Sequence, residues 1–415
     1  MAHISRQLKV LHTSDWHLGR SLYERKRYEE FELFLGWLAE FIKTEIFDIL
    51  LIAGDVFDTT TPGNRAQELY YQFLIRASQS GVRHIVIIGG NHDSPTFLNA
   101  PRELLGYLNV YVLGAISDSL EDEVIILKNK QLEVEAIICA VPYLRDKDIR
   151  SVEAGEKMED KNSKLISGIV EHYGAIGKMA VEKRNGDNSV PIIGMGHLFT
   201  AGGKTTEGDG VRELYVGGVA LVNEHSFPDC FDYLALGHLH AAQKVGESEA
   251  KRYSGSPLPM SFGEAGSEKK VIVIEFENQK PQITEHPIPN FQDLKRVTGD
   301  ADQIRLKLKE LKEAGSKAWL EIDYSGTETF SGLTDLVNES IAGTQMEALR
   351  IRTKLSMGRS LNRIDDQETL DDLDPDEVFI RCLDSHQVGE NERQPLIAAY
   401  QEIIFGMAQN DTNAE

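Results

Sequence analysis

Short apolar runs punctuate the first two-thirds of the chain, and polar segments with apolar residues at helical spacing lie between them. Residues 8–11, 48–53 and 84–88 are nearly unbroken apolar runs, as are 136–141, 191–193, 232–236 and 270–276. Runs of this length without polar alternation predict strands buried on both faces. Residues 28–44 place Phe31, Phe34, Leu35, Leu38, Phe41 and Ile42 on one side of a helix. A turn over residues 61–64 precedes a second helix carrying Leu69, Phe73 and Leu74, with Asn64 as its expected N-cap. Alternation of this kind implies an α/β fold built in layers.

The pattern changes beyond Phe276, where Asn278, Pro281, Pro287 and Pro289 mark a boundary. Residues 302–313 read as a charged helix, 318–324 as a strand with alternating faces, 333–341 as a helix and 348–353 as a strand. This βαβ-like stretch predicts a small α/β domain. Farther on, Asp374, Pro375, Asp376 and Glu377 spell a capped helix start. Val378, Phe379, Cys382 and Leu383 follow on one side of that helix. A last helix near Pro395 carries Leu396, Tyr400, Ile403 and Met407 on one face, a stripe too narrow for a core of its own. The expected organisation is therefore residues 1–280, residues 281–357 and a helical C-terminal segment, 358–415.

Composition narrows the class. A chain of 415 residues with 41% hydrophobic content has enough apolar surface for two or three domains. It lacks an apolar run of 18 residues, so no membrane helix is expected, and its opening residues lack a signal-peptide core. Cys139, Cys230 and Cys382 are scattered and odd in number, which suits a reducing, cytoplasmic compartment. The net charge of −22 by itself speaks against a nucleic-acid binder. Much of the acid, however, crowds into Asp365, Asp366, Glu368, Asp371, Asp372, Asp374, Asp376 and Glu377. Basic residues gather at Arg20, Arg25, Lys26 and Arg27, and again at Arg350, Arg352, Lys354, Arg359 and Arg363. Both basic groups also read as ordinary solvated surface. Bound divalent ions would reverse the local sign, so net charge leaves the substrate open.

The chemistry sits at the ends of the apolar runs. Five short strings are rich in metal-binding groups: Asp15 with His17; Gly54, Asp55 and Asp58; Gly90, Asn91, His92 and Asp93; Gly196 with His197; and Gly237, His238 and His240. Carboxylate, amide oxygen and imidazole form the mixed donor set of a paired manganese, iron or zinc site. In an open α/β sheet such groups converge outside the carboxyl ends of the strands. A single aspartate after a strand is commonly a turn or cap, but five strings at strand ends are not explained that way. His238 and His240, two apart, point to the same side if that segment is extended. His12, His84, His172 and His225 read as structural or surface residues. The glycine-rich stretch at residues 202–210 lacks a following helix and is no P-loop.

In order and composition these strings resemble those of the calcineurin-like metallophosphoesterases. Within that family the chain is similar to the nuclease subunits of ATPase-containing DNA-processing complexes. That likeness is carried by residues 11–19, 53–58, 196–198, 211–217, 236–240 and 252–262. The resemblance is dense to about residue 277 and only architectural beyond. It implies a layered sandwich of mixed sheets flanked by helices, with a small α/β cap domain and C-terminal helices. It further implies two divalent ions, manganese foremost and magnesium as the alternative. A carboxylate suits the bridge between two cations, and the resemblance gives that place to Asp55. Asp15, His17 and His240 would complete one site, and Asn91, His197 and His238 the other. His92 would serve the leaving oxygen without binding metal, a task suited to an imidazole. The implied activity is cleavage of DNA, endonucleolytically and from 3′ ends. The implied assembly is a homodimer joined to an ATPase partner through the C-terminal helices, away from any membrane. Asp58 departs from the histidine that the archaeal and eukaryotic members carry, and it receives no catalytic role. A small-molecule phosphodiesterase or protein phosphatase on the same fold, and a scaffold with a vestigial site, are the alternatives.

Overall fold

A computed structural model describes residues 8–149, 158–200, 203, 222–277, 280–326, 332–353 and parts of 379–401. Residues 211–217, the acidic run at 365–377, Lys354, Arg359, Arg363, Val378, Ile403 and Met407 lie outside the described residues. Those described fall into two compact units, one reaching Asp293 and the other starting at Leu294.

The first unit is a sandwich of two six-stranded mixed sheets. One runs Lys280–Pro287, Lys270–Glu277, Leu8–Thr13, Ile49–Ala53, His84–Ile88 and Val110–Leu113 in spatial order. Its last four strands are mutually parallel, while Lys270–Glu277 lies antiparallel to Leu8–Thr13. The other runs Gln243–Val245, Ser248–Tyr253, Tyr233–Gly237, Ile192–His197, Val134–Ala140 and Val124–Lys128. Val10, Leu51 and Ile88 of the first sheet meet Ile138, Ile193 and Tyr233 of the second in one buried layer. Each of the aliphatic side chains among them, fully buried, stabilises the fold by about 1.5–3 kcal/mol. Unbroken apolar runs are what a strand with two covered faces requires.

Helices close both outer faces. Tyr28–Glu45 and Asn64–Gln79 pack Phe34, Leu38, Phe73 and Leu74 onto Leu50 and Ile87. The second of these begins differently from expectation. Gly63, extended at φ −65° and ψ 155°, is its N-cap, and Asn64 is already in the first turn. On the other side Met158–Arg184, a helix not anticipated from the sequence, lays Ile169, Tyr173, Ile176 and Ala180 against Ile137 and Ile192. The strand Lys280–Pro287 pairs fully with Lys270–Glu277, so the first expected boundary falls at the start of a paired strand.

The second unit is a parallel three-stranded sheet, Leu294–Gly299, Trp319–Tyr324 and Glu347–Thr353. The helices Ala301–Glu313 and Leu333–Ile341 pack Ile304, Leu308, Leu336 and Val337 on Val297, Leu320 and Ile322. The first helix starts in a capping box, in which Asp300 Oδ1 accepts from Gln303 N at 2.9 Å and Gln303 Oε1 from Asp300 N at 3.1 Å. The strand Leu294–Gly299, unread in the sequence, makes the unit β-α-β-α-β. Near the end of the described chain, the Phe379 ring stacks on Tyr400 with centroids 4.0 Å apart.

The basic clusters dissolve in part into ion pairs. Arg27 is buried, bonded to Glu30 at 2.7 and 2.9 Å and to the Pro259 carbonyl. Arg352 and Arg296 approach Glu321, which is buried. Arg25 and Lys26 stay exposed in the hairpin Ser21–Leu22 and Arg25–Lys26. Among the described residues, no helix is long and apolar enough to cross a membrane.

Candidate metal centre

All five strings lie at or just beyond the carboxyl ends of parallel strands. Asp15 and His17 follow Leu8–Thr13, Asp55 follows Ile49–Ala53, and Asn91 and His92 follow His84–Ile88. In the facing sheet, His197 ends Ile192–His197, while His238 and His240 follow Tyr233–Gly237. Parallel alignment puts these ends on one edge, so residues more than 200 positions apart meet there.

The chain turns sharply as it leaves those strands. Asp15, His17, Asp55 and His238 have φ of 53°, 48°, 49° and 104°, a left-handed conformation that a non-glycine residue adopts at a cost of about 1–3 kcal/mol. Hydrogen bonds hold the turns in place. Asp15 N donates to Gly54 O at 3.0 Å, His17 N to Asp55 O at 2.9 Å and His238 N to Asp15 Oδ1 at 2.8 Å. Glycine is needed where the turns touch. A methyl group on Gly90 would collide with the Asp55 carboxylate, and one on Gly237 with the Ala53 carbonyl. His238 has positive φ, so the segment is not extended there, and His238 and His240 fall in different, adjoining clusters.

The donors form joined clusters. Asp15, His17 and His240 each bring one atom within 4.8 Å of the others, and so do Asp55, His197 and His238. His17 Nε2 faces His240 Nε2 at 3.1 Å. Asn91 Oδ1 lies 3.0 Å from both His197 Nε2 and His238 Nδ1. Asp55 touches both sides, with Oδ2 3.6 Å from His17 Nε2 and 3.3 Å from His197 Nε2. The six histidine and aspartate members are buried, whereas Asn91 and His92 are half-buried. His92 joins the group through ring and backbone alike: a ring nitrogen lies within 4.8 Å of donor atoms of His17 and Asp55, and its main-chain N donates to Asp55 Oδ1 at 2.9 Å. Its ring Nδ1 donates to the Asp58 carbonyl at 2.9 Å, and the ring stands edge-on to His17.

So many ionisable groups in a dry pocket perturb one another. Burial pushes the Asp15 carboxyl up to about 6, against the pull of the neighbouring His197 and His240. Burial also works against ionising Asp55, but His197, His92 and His17 outweigh it and hold that carboxyl well below its ordinary range. His197, disfavoured as a cation by burial, is nonetheless raised to about 9 by the Asp55 carboxylate. His17 falls to about 4 and His238 falls well below its ordinary value, both through burial. These directions favour an Asp55–His197 ion pair beside neutral His17 and His238. The donor set fits a pair of divalent cations, with carboxylate, amide and imidazole donors gathered within 4.8 Å and the Nε2 atoms of His17 and His240 opposed at 3.1 Å.

Surrounding groups complete the edge. Asp93 belongs to the third string but turns away from the donors. Its carboxylate accepts from Gly90 N at 2.9 Å, Phe57 N at 2.9 Å and Val56 N at 3.1 Å, tying two of the loops together. Ser14 bonds both Asp15 and Ser254. Glu264 Oε1 lies 3.8 Å from His240 Nδ1, and Lys269 donates to Glu264, to Ser256 Oγ and to the His240 carbonyl. Asp58, with Arg20 and His17 beside it, has its carboxyl brought down to about 2, since His17 and Arg20 overcome the penalty of burial. Sequence reading passed over Ser14, Glu264 and Lys269, since only their place in the fold brings them to the centre. Asp58 and Asp93 stood inside the strings themselves. Of the histidines set aside, His12 bonds Tyr233 in the core, His84 the Lys128 carbonyl and His172 Glu123, and His225 is solvent-exposed.

Comparison with known proteins agrees with this architecture. The model of the calcineurin-like phosphoesterases matches residues 8–242, and that of the type 5 capsule protein repressor C-terminal domain matches residues 290–387. A curated relative from Escherichia coli strain K12, named as the D component of nuclease SbcCD, is 34% identical over 94% of this chain and 96% of its own length. Relatives of the same name from Rhodobacter capsulatus and Bacillus subtilis are 33% and 34% identical, each over 65% of this chain and 66% of their own. The chain belongs to the calcineurin-like phosphoesterases, as a metal-dependent phosphodiester hydrolase of the SbcD nuclease family.

Proposed function

We propose that the chain is a two-metal DNA nuclease that cuts single strands internally and degrades duplex ends in the 3′ to 5′ direction. The observation that carries the reading is the sharing of Asp55 between the two donor clusters, with His92 beside it. Asp15, His17 and His240 would hold one ion, Asn91, His197 and His238 the other, and Asp55 would face both. Manganese is the preferred ion and magnesium the alternative. When bound, the pair activates the attacking water and offsets the charge of the phosphate.

The rest falls to the chain. Asn91 supplies oxygen without negative charge and so keeps the centre attractive to a phosphodiester. His92 has its Nδ1–H committed to the Asp58 carbonyl, so in the imidazolium form the Nε2–H is the proton that passes to the departing sugar oxygen, leaving neutral imidazole. The unit beginning at Leu294 serves to position the DNA. From the relatives' name we carry over an SbcC-type ATPase as partner. The C-terminal helices grip it, and a homodimer of this chain sits within the resulting heterotetramer in the cytoplasm.

A panel of manganese, magnesium and zinc against single-stranded, duplex and hairpin DNA tests the reading, with a chromogenic diester as control. Manganese-dependent cleavage of DNA is expected. Turnover of the diester alone, undiminished in a chain ending at residue 277, would make it a small-molecule phosphodiesterase instead.

A further inference from the structure

Asp58 reaches two histidines through two different parts of itself. Its carboxylate Oδ1 lies 3.3 Å from His17 Nδ1, and Arg20 holds the same oxygen from outside at 3.3 Å. Its main-chain carbonyl accepts the hydrogen bond from His92 Nδ1 at 2.9 Å. His17 is buried, and its Nδ1 has no aligned hydrogen-bond partner, so the Asp58 carboxylate is the charge it faces. At its other end, His17 Nε2 looks toward His240 Nε2 and Asp55.

A neutral imidazole carries one hydrogen and one lone pair, and the group facing one nitrogen decides which it bears. We infer that Asp58 is a positioning residue of the metal centre: its carboxylate keeps hydrogen on His17 Nδ1, so that the Nε2 lone pair faces the ion. The inference rests on the metal-centre reading above. With the carboxylate gone, hydrogen can move to Nε2, where it blocks the donor opposite His240. The same removal leaves the Asp58 carbonyl, and hence the hold on His92, in place. The effect therefore falls on metal binding and spares the leaving-group step. Partners of this kind behind a metal-binding histidine typically matter by about 10–100-fold in affinity.

The test uses the full chain with Asp58→Ala and Asp58→Asn. Manganese is titrated calorimetrically without DNA, and then cleavage of a single-stranded oligonucleotide is followed against manganese concentration. Asp58→Asn keeps the shape of the side chain, but its amide can donate to Nδ1 and so favours the wrong tautomer. Both variants are expected to bind one ion about 10–100-fold more weakly and the other within about threefold of wild type. The manganese concentration for half-maximal cleavage should rise by the same factor, with kcat at saturating manganese restored to within about threefold. Unchanged affinity overturns the inference, and so does a kcat that stays low at full occupancy. Asp58→Asn carries the test if Asp58→Ala does not fold. Failure of the underlying reading looks different, because wild type itself would then bind no manganese pair.

Discussion

Replacing Asp55 by asparagine removes one charge and almost no volume, from the carboxylate that faces both donor clusters. Its Oδ2 stands 3.3 Å from His197 and 3.6 Å from His17. A pair of unit charges about 4 Å apart at an effective dielectric of about 20 is worth about 4 kcal/mol. Against two divalent ions the lost charge weakens binding by several kcal/mol, and each 1.4 kcal/mol is about tenfold in affinity. Both ions should therefore be lost at micromolar manganese. Cleavage should go with them, since activation of water goes too. The metal-free fold should survive. The amide oxygen of the new side chain can still accept from His92 N, and relief of repulsion with Asp15 and Asp93 offsets the broken pair with His197. Elemental analysis after gel filtration, thermal melting with and without manganese, and an oligonucleotide cleavage assay read the three consequences. Wild type should gain about 2.7 kcal/mol of stability per bound ion at manganese about 100-fold above its Kd, and the variant none. Two metals per chain in Asp55→Asn with cleavage intact would refute the shared-ligand reasoning.

His92→Gln should lower turnover by about 100-fold or more while metal content stays at the wild-type level, a loss typical of removing a general acid. Loss of both metals would make His92 a ligand instead. Metal uptake should release about one proton at pH 7–8, because His197 is held protonated to about 9 and must be neutral to bind. Affinity for that ion should climb about tenfold per pH unit between about 6 and 9 and level off above. Below about 6 affinity for the other ion should fall as well, as the Asp15 carboxyl takes up a proton. Titration heats that do not change with the buffer's ionisation heat would contradict this. Deleting residues 365–415 should leave manganese binding and basal single-strand cleavage intact but abolish association with an SbcC-type ATPase. Co-purification of the shortened chain at full stoichiometry would locate the contact elsewhere.

Much of the centre was legible because local rules govern its parts. Unbroken apolar runs mark strands covered on both faces, and the polar residues after them have no packing reason to be there. Thus Asp15, Asp55, Asn91, His197 and His238 could each be placed at a strand end before any contact was known. The two helices at residues 28–44 and 333–341 followed from spacing alone, within a residue of Tyr28–Glu45 and Leu333–Ile341. The N-cap at Asn64 failed because Gly63 reaches the extended capping conformation first. The strand Leu294–Gly299 was hidden because three of its six side chains are polar or charged and only its neighbour Trp319–Tyr324 reveals it.

What the sequence determined by itself is the set of candidate donors, their order and the layered class of the fold, since each depends on residues close together in the chain. Partnership was decided only in three dimensions. His238 and His240 stand two apart, yet a left-handed turn at His238 sends one toward Asn91 and the other toward His17. Arg27 looked like a surface cation, but it is buried against Glu30 and a carbonyl 232 positions away. Asp58 looked idle, and only the approach of His17 and His92 gives it neighbours. Each of these depends on the order and stagger of parallel strands that are far apart in the chain. That order is set by burial summed over the whole sandwich, and no local propensity encodes it.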